Sequence, residues 1–118
     1  MNPIRHIEFW RSDLARSMEF YGQILGLLGW SRHDANGFAC DGTKLYFRER
    51  KEKFEDALGP RHICFQAEDQ EAVDKVAKLL EVSNVAILHG PEVLHPHGSY
   101  MLVFKDPDGY ILEIACKP

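Results

Sequence analysis

The first half of the chain alternates between two hydrophobic periods. In the segment 4–10, apolar Ile7 and Phe9 alternate with their neighbours, which predicts a β-strand with one buried face. Ser12 and Asp13 follow, and both residue types are frequent helix N-caps. Apolar side chains then recur at helical spacing, so a helix is predicted from residue 14 onward. This apolar stripe comprises Leu14, Met18, Tyr21, Leu25 and Leu28.

Three short strands are predicted after this helix, because apolar and β-branched residues are broken there by turn dipeptides. Their predicted bounds are 30–34, 37–40 and 43–48. The dipeptides Asn36-Gly37 and Asp41-Gly42 separate them, and both are typical of tight hairpin turns. The charged segment 50–59 comes next, as either a solvated connector or a short helix.

The second half of the chain repeats this order. The segment 61–65 (RHICF) resembles the segment 5–9 (RHIEF), which lies 56 positions earlier. Asp69 then offers a helix N-cap before a second apolar stripe, and further strands follow. The stripe comprises Val73, Val76, Ala77 and Leu80, and the strands are predicted over 85–88, 92–95, 100–104 and 110–115.

Strand, helix and turn signals recur in one order, which indicates an internal duplication. The predicted fold class is therefore α+β. Two tandem βαβββ modules would form a curved mixed sheet around a cavity, with the helices on the outside. The modules would span about 1–58 and 59–118 and together make a single domain.

The last two strands are joined by the segment Asp106-Pro107-Asp108-Gly109. Proline presets φ, glycine accepts a positive φ, and aspartate side chains bond the nearby backbone, so a β-hairpin is predicted. Glu113 lies inside the apolar strand that follows the turn. A lone carboxylate there is costly unless something pairs with it. The candidate partners are a metal ion and the cations of Lys44 and Arg48.

Strand alternation places His6, His62 and Glu113 on the sheet face opposite the helices. The two histidines also occupy equivalent positions of the repeat. Two imidazoles and one carboxylate form a facial triad that leaves metal positions open for a substrate. The alternative is that each histidine is a hydrogen-bonded structural residue.

Further side chains on these faces carry candidate chemistry. Glu8 is a candidate general base, since desolvation would raise its pKa toward neutrality, or it is salt-bridged to Arg48 or Lys44. Tyr46 either donates a hydrogen bond to a bound oxygen or lines the wall. Lys44 and Arg48 favour an anionic substrate group, and Trp10 offers a surface for stacking.

Size and charge exclude several classes of protein. The chain has 118 residues, of which 45% are hydrophobic and 27% charged, as is ordinary for a globular domain. A net charge of −4, with acids and bases interspersed, argues against a nucleic-acid partner. No apolar run reaches the length of a membrane span and no signal peptide is recognisable, so no membrane partner is expected.

The cysteines indicate the compartment. Cys40, Cys64 and Cys116 share no spacing typical of a metal site, which fits a reducing, cytoplasmic location. Cys64 is either a packed side chain or a nucleophile, but no activating partner is evident in the sequence.

Taken together, these motifs resemble those of the vicinal-oxygen-chelate superfamily. That superfamily contains glyoxalase I, ring-cleaving extradiol dioxygenases, fosfomycin-resistance enzymes, methylmalonyl-CoA epimerase and bleomycin-binding resistance proteins. The resemblance covers essentially the whole chain. The matching segments are 5–7 (RHI), 12–21 (SDLARSMEFY), 25–27 (LGL), 61–63 (RHI) and 104–109 (FKDPDG), the last leading to Glu113.

The resemblance implies one divalent metal ion per site, which could be manganese, iron, zinc, nickel or cobalt. Its metal-ligand positions fall on His6, His62 and Glu113. Glyoxalase I and the epimerase add a fourth ligand where this chain has Tyr46, a poor ligand, which counts against both activities. Fosfomycin enzymes place a threonine where this chain has Glu8, which counts against fosfomycin modification. Small members are commonly homodimers in which modules of two chains build each site, so a homodimer is expected.

Two functional classes follow. The first is a metal-dependent enzyme that chelates a small, anionic, oxygenated substrate and acts by Lewis-acid chemistry, as an isomerase, lyase, ring-opening enzyme or transferase, or by Fe(II)-dioxygen chemistry. The alternative is a metal-free protein that sequesters a small molecule or drug, as bleomycin-resistance proteins do. The two histidines and Glu113 favour the enzyme, because a sequestering protein has no need of them.

Overall fold

The order strand, helix and three strands occurs twice in the structure, a computed structural model that describes residues 3–51, 59–95 and 98–118. The first copy comprises β1 (His6–Arg11), α1 (Leu14–Leu27), β2 (Ser31–His33), β3 (Gly37–Cys40) and β4 (Thr43–Glu49). The second comprises β5 (His62–Gln66), α2 (Gln70–Val82), β6 (Ile87–Leu94), β7 (Ser99–Lys105) and β8 (Ile111–Cys116). The predicted α+β class and its two βαβββ modules are confirmed.

Each copy forms its own four-stranded mixed sheet. The strand orders are β1-β4-β3-β2 and β5-β8-β7-β6, so the two sheets have the same topology. In each sheet the first and last strands of the copy run parallel, and the remaining neighbours are antiparallel. The contacts divide the chain into two compact units, Met1–Leu58 and Gly59–Pro118, called the first and second units below.

Helix α1 begins at the predicted cap. The Asp13 carboxylate accepts a hydrogen bond of 3.1 Å from the backbone N–H of Arg16, which satisfies one of the free donors of the first turn. The buried face of the helix carries Tyr21, whose ring centroid lies 4.7 Å from that of Phe47 on β4. Aromatic packing therefore joins helix to sheet in the first unit.

Helix α2 has the same kind of cap and a purely aliphatic face. The Asp69 carboxylate accepts a 2.9 Å hydrogen bond from the backbone N–H of Ala72. Val73, Val76 and Leu80 are buried, as the apolar stripe predicts. Among the described residues, neither helix is long and apolar enough to cross a membrane.

The turn between β7 and β8 is held by one buried carboxylate. Asp106 Oδ1 accepts hydrogen bonds of 2.9 Å from the backbone N–H groups of both Asp108 and Tyr110. Gly109 adopts φ 84°, a conformation that glycine reaches without steric cost. The predicted hairpin is confirmed, and it sets the register that positions Glu113 on β8.

Two local predictions were wrong. The strands predicted at 85–88 and 92–95 are one strand, β6, because register shifts on either side of His89 let irregular pairing continue along β7. The turn predicted at Asn36-Gly37 is centred earlier, and Asp34 takes the positive φ of 58°. Gly37 instead begins β3, where an added Cβ would meet Tyr46 Cδ1 at 2.7 Å. Residues 52–58 of the predicted connector lie outside the described residues.

Candidate functional site

Two of the predicted metal ligands meet in the second unit. Strands β5 and β8 run parallel with Cys64 opposite Glu113 and His62 opposite Ile111. Side chains two positions apart share a strand face, so His62 and Glu113 lie diagonally on the same face. The Nε2 atom of His62 is 3.4 Å from Oε1 of Glu113, with side-chain exposures of 30% and 14%.

The other ring nitrogen of His62 faces Arg61. The guanidinium Nη1 of Arg61 lies 3.0 Å from His62 Nδ1. Since arginine has donors only, Nδ1 must be the acceptor in this contact. The proton of a neutral ring then sits on Nε2, the nitrogen that lies 3.4 Å from Glu113 Oε1. Arg61 and Glu113 therefore flank the two nitrogens of the imidazole.

A cavity of about 340 Å³ opens beside this pair in the second unit. Its polar wall combines one guanidinium, three imidazoles and one carboxylate. These groups belong to Arg61, His62, His89, His95 and Glu113. A high proportion of titratable side chains on one concave surface is typical of a binding or catalytic site.

The remaining wall of this cavity is apolar. It is formed by side chains of β6, β7 and β8, namely Leu88, Leu94, Met101, Val103 and Ile111. Because polar and apolar walls face one space, the cavity suits a small molecule with a charged end and a hydrocarbon end.

Cys64 lies opposite Glu113 on β5 but is not an activated nucleophile. Desolvation of the sulfur, followed by the nearby carboxylate of Glu113, raises the pKa of the Cys64 thiol to about 11. The thiol is therefore protonated at neutral pH, and the thiolate is the form that reacts. The interpretation of Cys64 as a packed side chain is wrong as well, because the residue is exposed.

The donor set of His62 and Glu113 fits a divalent metal ion. Two ligand atoms that each lie about 2.1 Å from an ion in tetrahedral geometry are about 3.4 Å apart. The observed separation between Nε2 and Oε1 is 3.4 Å. Over residues 3–51, 59–95 and 98–118, however, no group of three or more His, Cys, Asp or Glu side chains is arranged to hold a metal.

In the first unit, Glu8 is engaged by Arg48. The Nε atom of Arg48 donates a 2.7 Å hydrogen bond to Glu8 Oε1, and the glutamate side chain is 44% exposed. This hydrogen bond, more than the charge of the guanidinium, holds the pKa of Glu8 below its usual value. The expectation of a raised pKa is wrong, because desolvation of so exposed a group is the weaker effect.

His6 packs against Tyr46 in the same unit. Their ring centroids are 5.8 Å apart in an edge-to-face arrangement. The ring of His33 contacts Tyr46 as well, also at 5.8 Å, and its Nε2 lies 3.5 Å from Asp34 Oδ2. The sequence analysis did not single out His33. Hairpin pairing could have found it, since His33 pairs with Gly37 and Gly37 pairs with Tyr46.

The remaining predicted residues line the exposed face of the first sheet. Lys44 lies opposite His6 in the register between β1 and β4. Trp10 is 52% exposed, and the guanidinium of Arg50 lies 5.4 Å from its ring centroid. A cleft of about 170 Å³ here is bordered by Glu8, Phe9, Trp10 and Arg48. These side chains form a shallow, charged surface with one large aromatic ring.

Comparison with known proteins defines the class. The sequence matches the Glyoxalase/Bleomycin resistance protein/Dioxygenase superfamily over residues 4–114, nearly the whole chain. The protein therefore belongs to this superfamily, as its sequence motifs indicated. Members typically bind small-molecule substrates, which agrees with the size of the cavity in the second unit.

Individual relatives match the chain over nearly its whole length, and the solved structures among them share its fold. The protein YqjT of Bacillus subtilis (strain 168), itself uncharacterized, is 27% identical, and the match covers 95% of this chain and 97% of YqjT. A glyoxalase/dioxygenase of Nostoc punctiforme has a TM-score of 0.75 at 26% identity, covering 100% of this chain and 96% of that one. A glyoxalase-like protein of Bacillus halodurans has a TM-score of 0.82 at 24% identity, covering 98% and 96% of the two chains.

Proposed function

We propose that the protein is a divalent-metal-dependent enzyme of the glyoxalase/dioxygenase superfamily that acts on a small, anionic, oxygenated substrate. The observation that carries the proposal is the pair formed by His62 and Glu113. An imidazole nitrogen and a carboxylate oxygen lie 3.4 Å apart beside one cavity, which is the spacing of two ligands of a single ion.

His6 is the proposed third ligand. It holds the position in the first repeat that His62 holds in the second. Each histidine begins the first strand of its repeat, which runs parallel to the last strand of that repeat. His6 would come from the same chain or from a second copy of it. We propose a homodimer, as is common among small members of the family. The ion would be manganese, iron, zinc, nickel or cobalt, since imidazole and carboxylate ligands suit each of these.

A bound divalent ion would supply Lewis-acid chemistry to neighbouring substrate oxygens, or oxygen-activating chemistry in the case of iron. The chain itself positions His62 and Glu113 through the pairing of β5 with β8 and presents an apolar wall that limits the access of water. In the first unit, Tyr46 would donate a hydrogen bond to a substrate oxygen. Lys44 would attract an anionic group, Arg48 would do so less strongly because it is paired with Glu8, and Trp10 would stack on a planar group.

Glu8 is the proposed proton acceptor, although its pKa is lowered instead of raised. Its pKa is lowered by Arg48, so the carboxylate is ionised at neutral pH and able to accept a proton. The same ion pair makes Glu8 a weaker base than a desolvated carboxylate would be. An isomerase, lyase, ring-opening enzyme, transferase or dioxygenase is compatible with this set of groups.

The alternative function is metal-free sequestration of a small molecule or drug. The exposed ring of Trp10 beside the guanidinium of Arg50 favours it, because such a surface can stack a planar ligand. A cytoplasmic location belongs to the proposal in either case. The described cysteines Cys40, Cys64 and Cys116 are all free thiols, as in proteins of reducing compartments.

Metal analysis of the purified protein tests the enzyme proposal. We expect about one divalent ion per site in the parent and none in His62→Ala, since neutral imidazole is a ligand that alanine cannot replace. His89→Ala is the matched control, because His89 lines the same cavity and forms no ion pair with Glu113 among the described residues. Retention of metal by His62→Ala would remove His62 from the metal site. No metal in the parent after loading with each candidate ion would support the sequestering protein instead.

A further inference from the structure

We propose that Arg61, His89 and His95 form an anion-binding subsite in the cavity of the second unit. This subsite would take the carboxylate or phosphoryl group of a small organic anion, and the apolar wall would take its short hydrocarbon part. The inference rests on the proposed function, because it names the substrate class of the same cavity.

Arg61 is the permanent cation of the cavity. Its guanidinium carries five N–H donors, and the contact with His62 Nδ1 at 3.0 Å uses a donor on only one of its nitrogens. The remaining donors form a planar fork suited to the oxygens of a carboxylate or phosphoryl group. Arg61 therefore combines a fixed position beside the ligand pair with free capacity for an anion.

The two cavity histidines add donors to the same wall. His89 lies at the register shifts of β6, and His95 directly follows that strand. In the described parts of the chain, neither imidazole makes a hydrogen bond or an ion pair. Their ring N–H groups are thus available to a ligand, whereas Arg61 and His62 already orient one another.

Charge balance distinguishes this subsite from the cations of the first unit. There, Arg48 is bonded to Glu8 at 2.7 Å, so the charge of that guanidinium is already compensated. In the second unit, Arg61 contacts His62 and forms no ion pair with a carboxylate among the described residues, so its charge is available to a ligand. An anionic substrate would be attracted there, and a cationic one would be repelled.

The dimensions of the cavity limit the ligand. Its volume of about 340 Å³ is near the lower end of the range for small-molecule sites. The apolar wall includes Leu88 and Met101. A compact anion with a single ring or a short chain therefore fits better than a long conjugate.

Titration calorimetry with phenylphosphonate and inorganic phosphate tests the subsite on metal-depleted full-length protein. Phenylphosphonate should bind more tightly than phosphate, because only it fills the apolar wall. Arg61→Gln should weaken phenylphosphonate binding about tenfold or more, as expected for loss of charge-assisted hydrogen bonds. His89→Ala combined with His95→Ala should weaken it by a smaller factor.

Arg5→Gln is the matched control. Arg5 precedes His6 as Arg61 precedes His62, so the same substitution at the equivalent repeat position should change the affinity less than about twofold. If Arg61→Gln does not fold, Arg61→Lys tests the same point, because lysine keeps the charge but loses the planar fork. An affinity unchanged by Arg61→Lys and by the double histidine variant would overturn the subsite.

Metal titration of the same variants separates this inference from the proposed function. Arg61→Gln should bind zinc at least as tightly as the parent, because removing a neighbouring cation reduces repulsion of the ion. Loss of anion binding with retained zinc binding supports both proposals. Anion binding that depends on Arg61 in a protein that binds no divalent metal supports the subsite and rejects the metal enzyme. Zinc binding without any anion affinity rejects the subsite alone.

Discussion

The two units share a strand order but differ in how their charged side chains are used. In the first unit, Glu8 on β1 is bonded to Arg48 on β4 and both side chains are largely exposed. In the second unit, Cys64 takes the equivalent position and the carboxylate has moved to Glu113 on the neighbouring strand. There it faces an imidazole beside a cavity instead of a guanidinium at the surface.

The two copies of the repeat keep the same strand pairing but carry different side chains at equivalent positions. Both copies keep the parallel pairing of first and last strands, so equivalent positions still share a face. Tyr46 stands opposite Glu8 where Glu113 stands opposite Cys64. A phenol and a carboxylate at one repeat position have different affinities for cations. We therefore expect metal binding to depend on Glu113 more than on Tyr46.

Substitutions in the hydrophobic core of each unit give the largest expected effect that tests this comparison. Phe47 on β4 and Ile114 on β8 are equivalent and fully buried. Phe47→Ala should lower the free energy of unfolding by about 3–5 kcal/mol, and Ile114→Ala by about 2–5 kcal/mol. The first loss should be the larger, because Phe47 also packs against the ring of Tyr21.

Chemical denaturation of both variants measures this difference. Met101→Leu is a suitable volume-conserving control, since such core substitutions usually cost less than about 1.5 kcal/mol. If Ile114→Ala lowered the free energy of unfolding more than Phe47→Ala, the core of the first unit would not depend on aromatic contacts in the way described.

Substitutions at Glu113 and at the equivalent Tyr46 give the second-largest expected effect, a change in metal affinity. Glu113→Gln should weaken metal binding about a hundredfold or more, because it removes the anionic ligand, and losing a group that merely orients a ligand already costs up to about that much. Tyr46→Phe, at the equivalent position, should leave metal affinity within about threefold of the parent. Competition with a chromogenic chelator measures both constants, and equal losses in the two variants would show that the phenol is itself a ligand.

The framework was predictable from sequence because its signals are local. The caps Asp13 and Asp69 and the hairpin turn at residues 106–109 bond backbone groups a few positions away. Hydrophobic period then identified the helices and nearly all of the strands. The exception was β6, whose continuity across His89 depends on shifted pairing with another strand.

The site was predictable only in part, since its contacts join residues distant in sequence. Repeat position and strand alternation identified His62 and Glu113 as candidates on one face. The sequence also left Glu8 with two possible partners, and the structure shows Arg48 as the one bonded. The positions of Arg61 and His95 in the cavity wall depend on side-chain direction and on the course of β6, which alternation alone does not specify.

The ion pair of the first unit gives the smallest effect, and its sign depends on pH. The folded protein holds the pKa of Glu8 below the ordinary value of 4.5, chiefly through the hydrogen bond from Arg48. A group whose pKa is lowered by folding stabilises the protein above its unfolded pKa, and this contribution is lost as the pH falls through the folded pKa. Both side chains are substantially exposed, so the contribution is screened and small.

Glu8→Gln should therefore be slightly less stable than the parent at pH 7, with the difference disappearing as the pH is lowered below about 4.5. Thermal unfolding of both proteins between pH 3 and pH 7 measures this convergence, and added salt should reduce the difference at neutral pH. Glu71→Gln is the control, since its pair with Lys75 is also exposed, on α2. A difference that grew toward acid pH would mean that the carboxylate of Glu8 is stabilised in its protonated form, and the contrast drawn between the two units would then fail at this position.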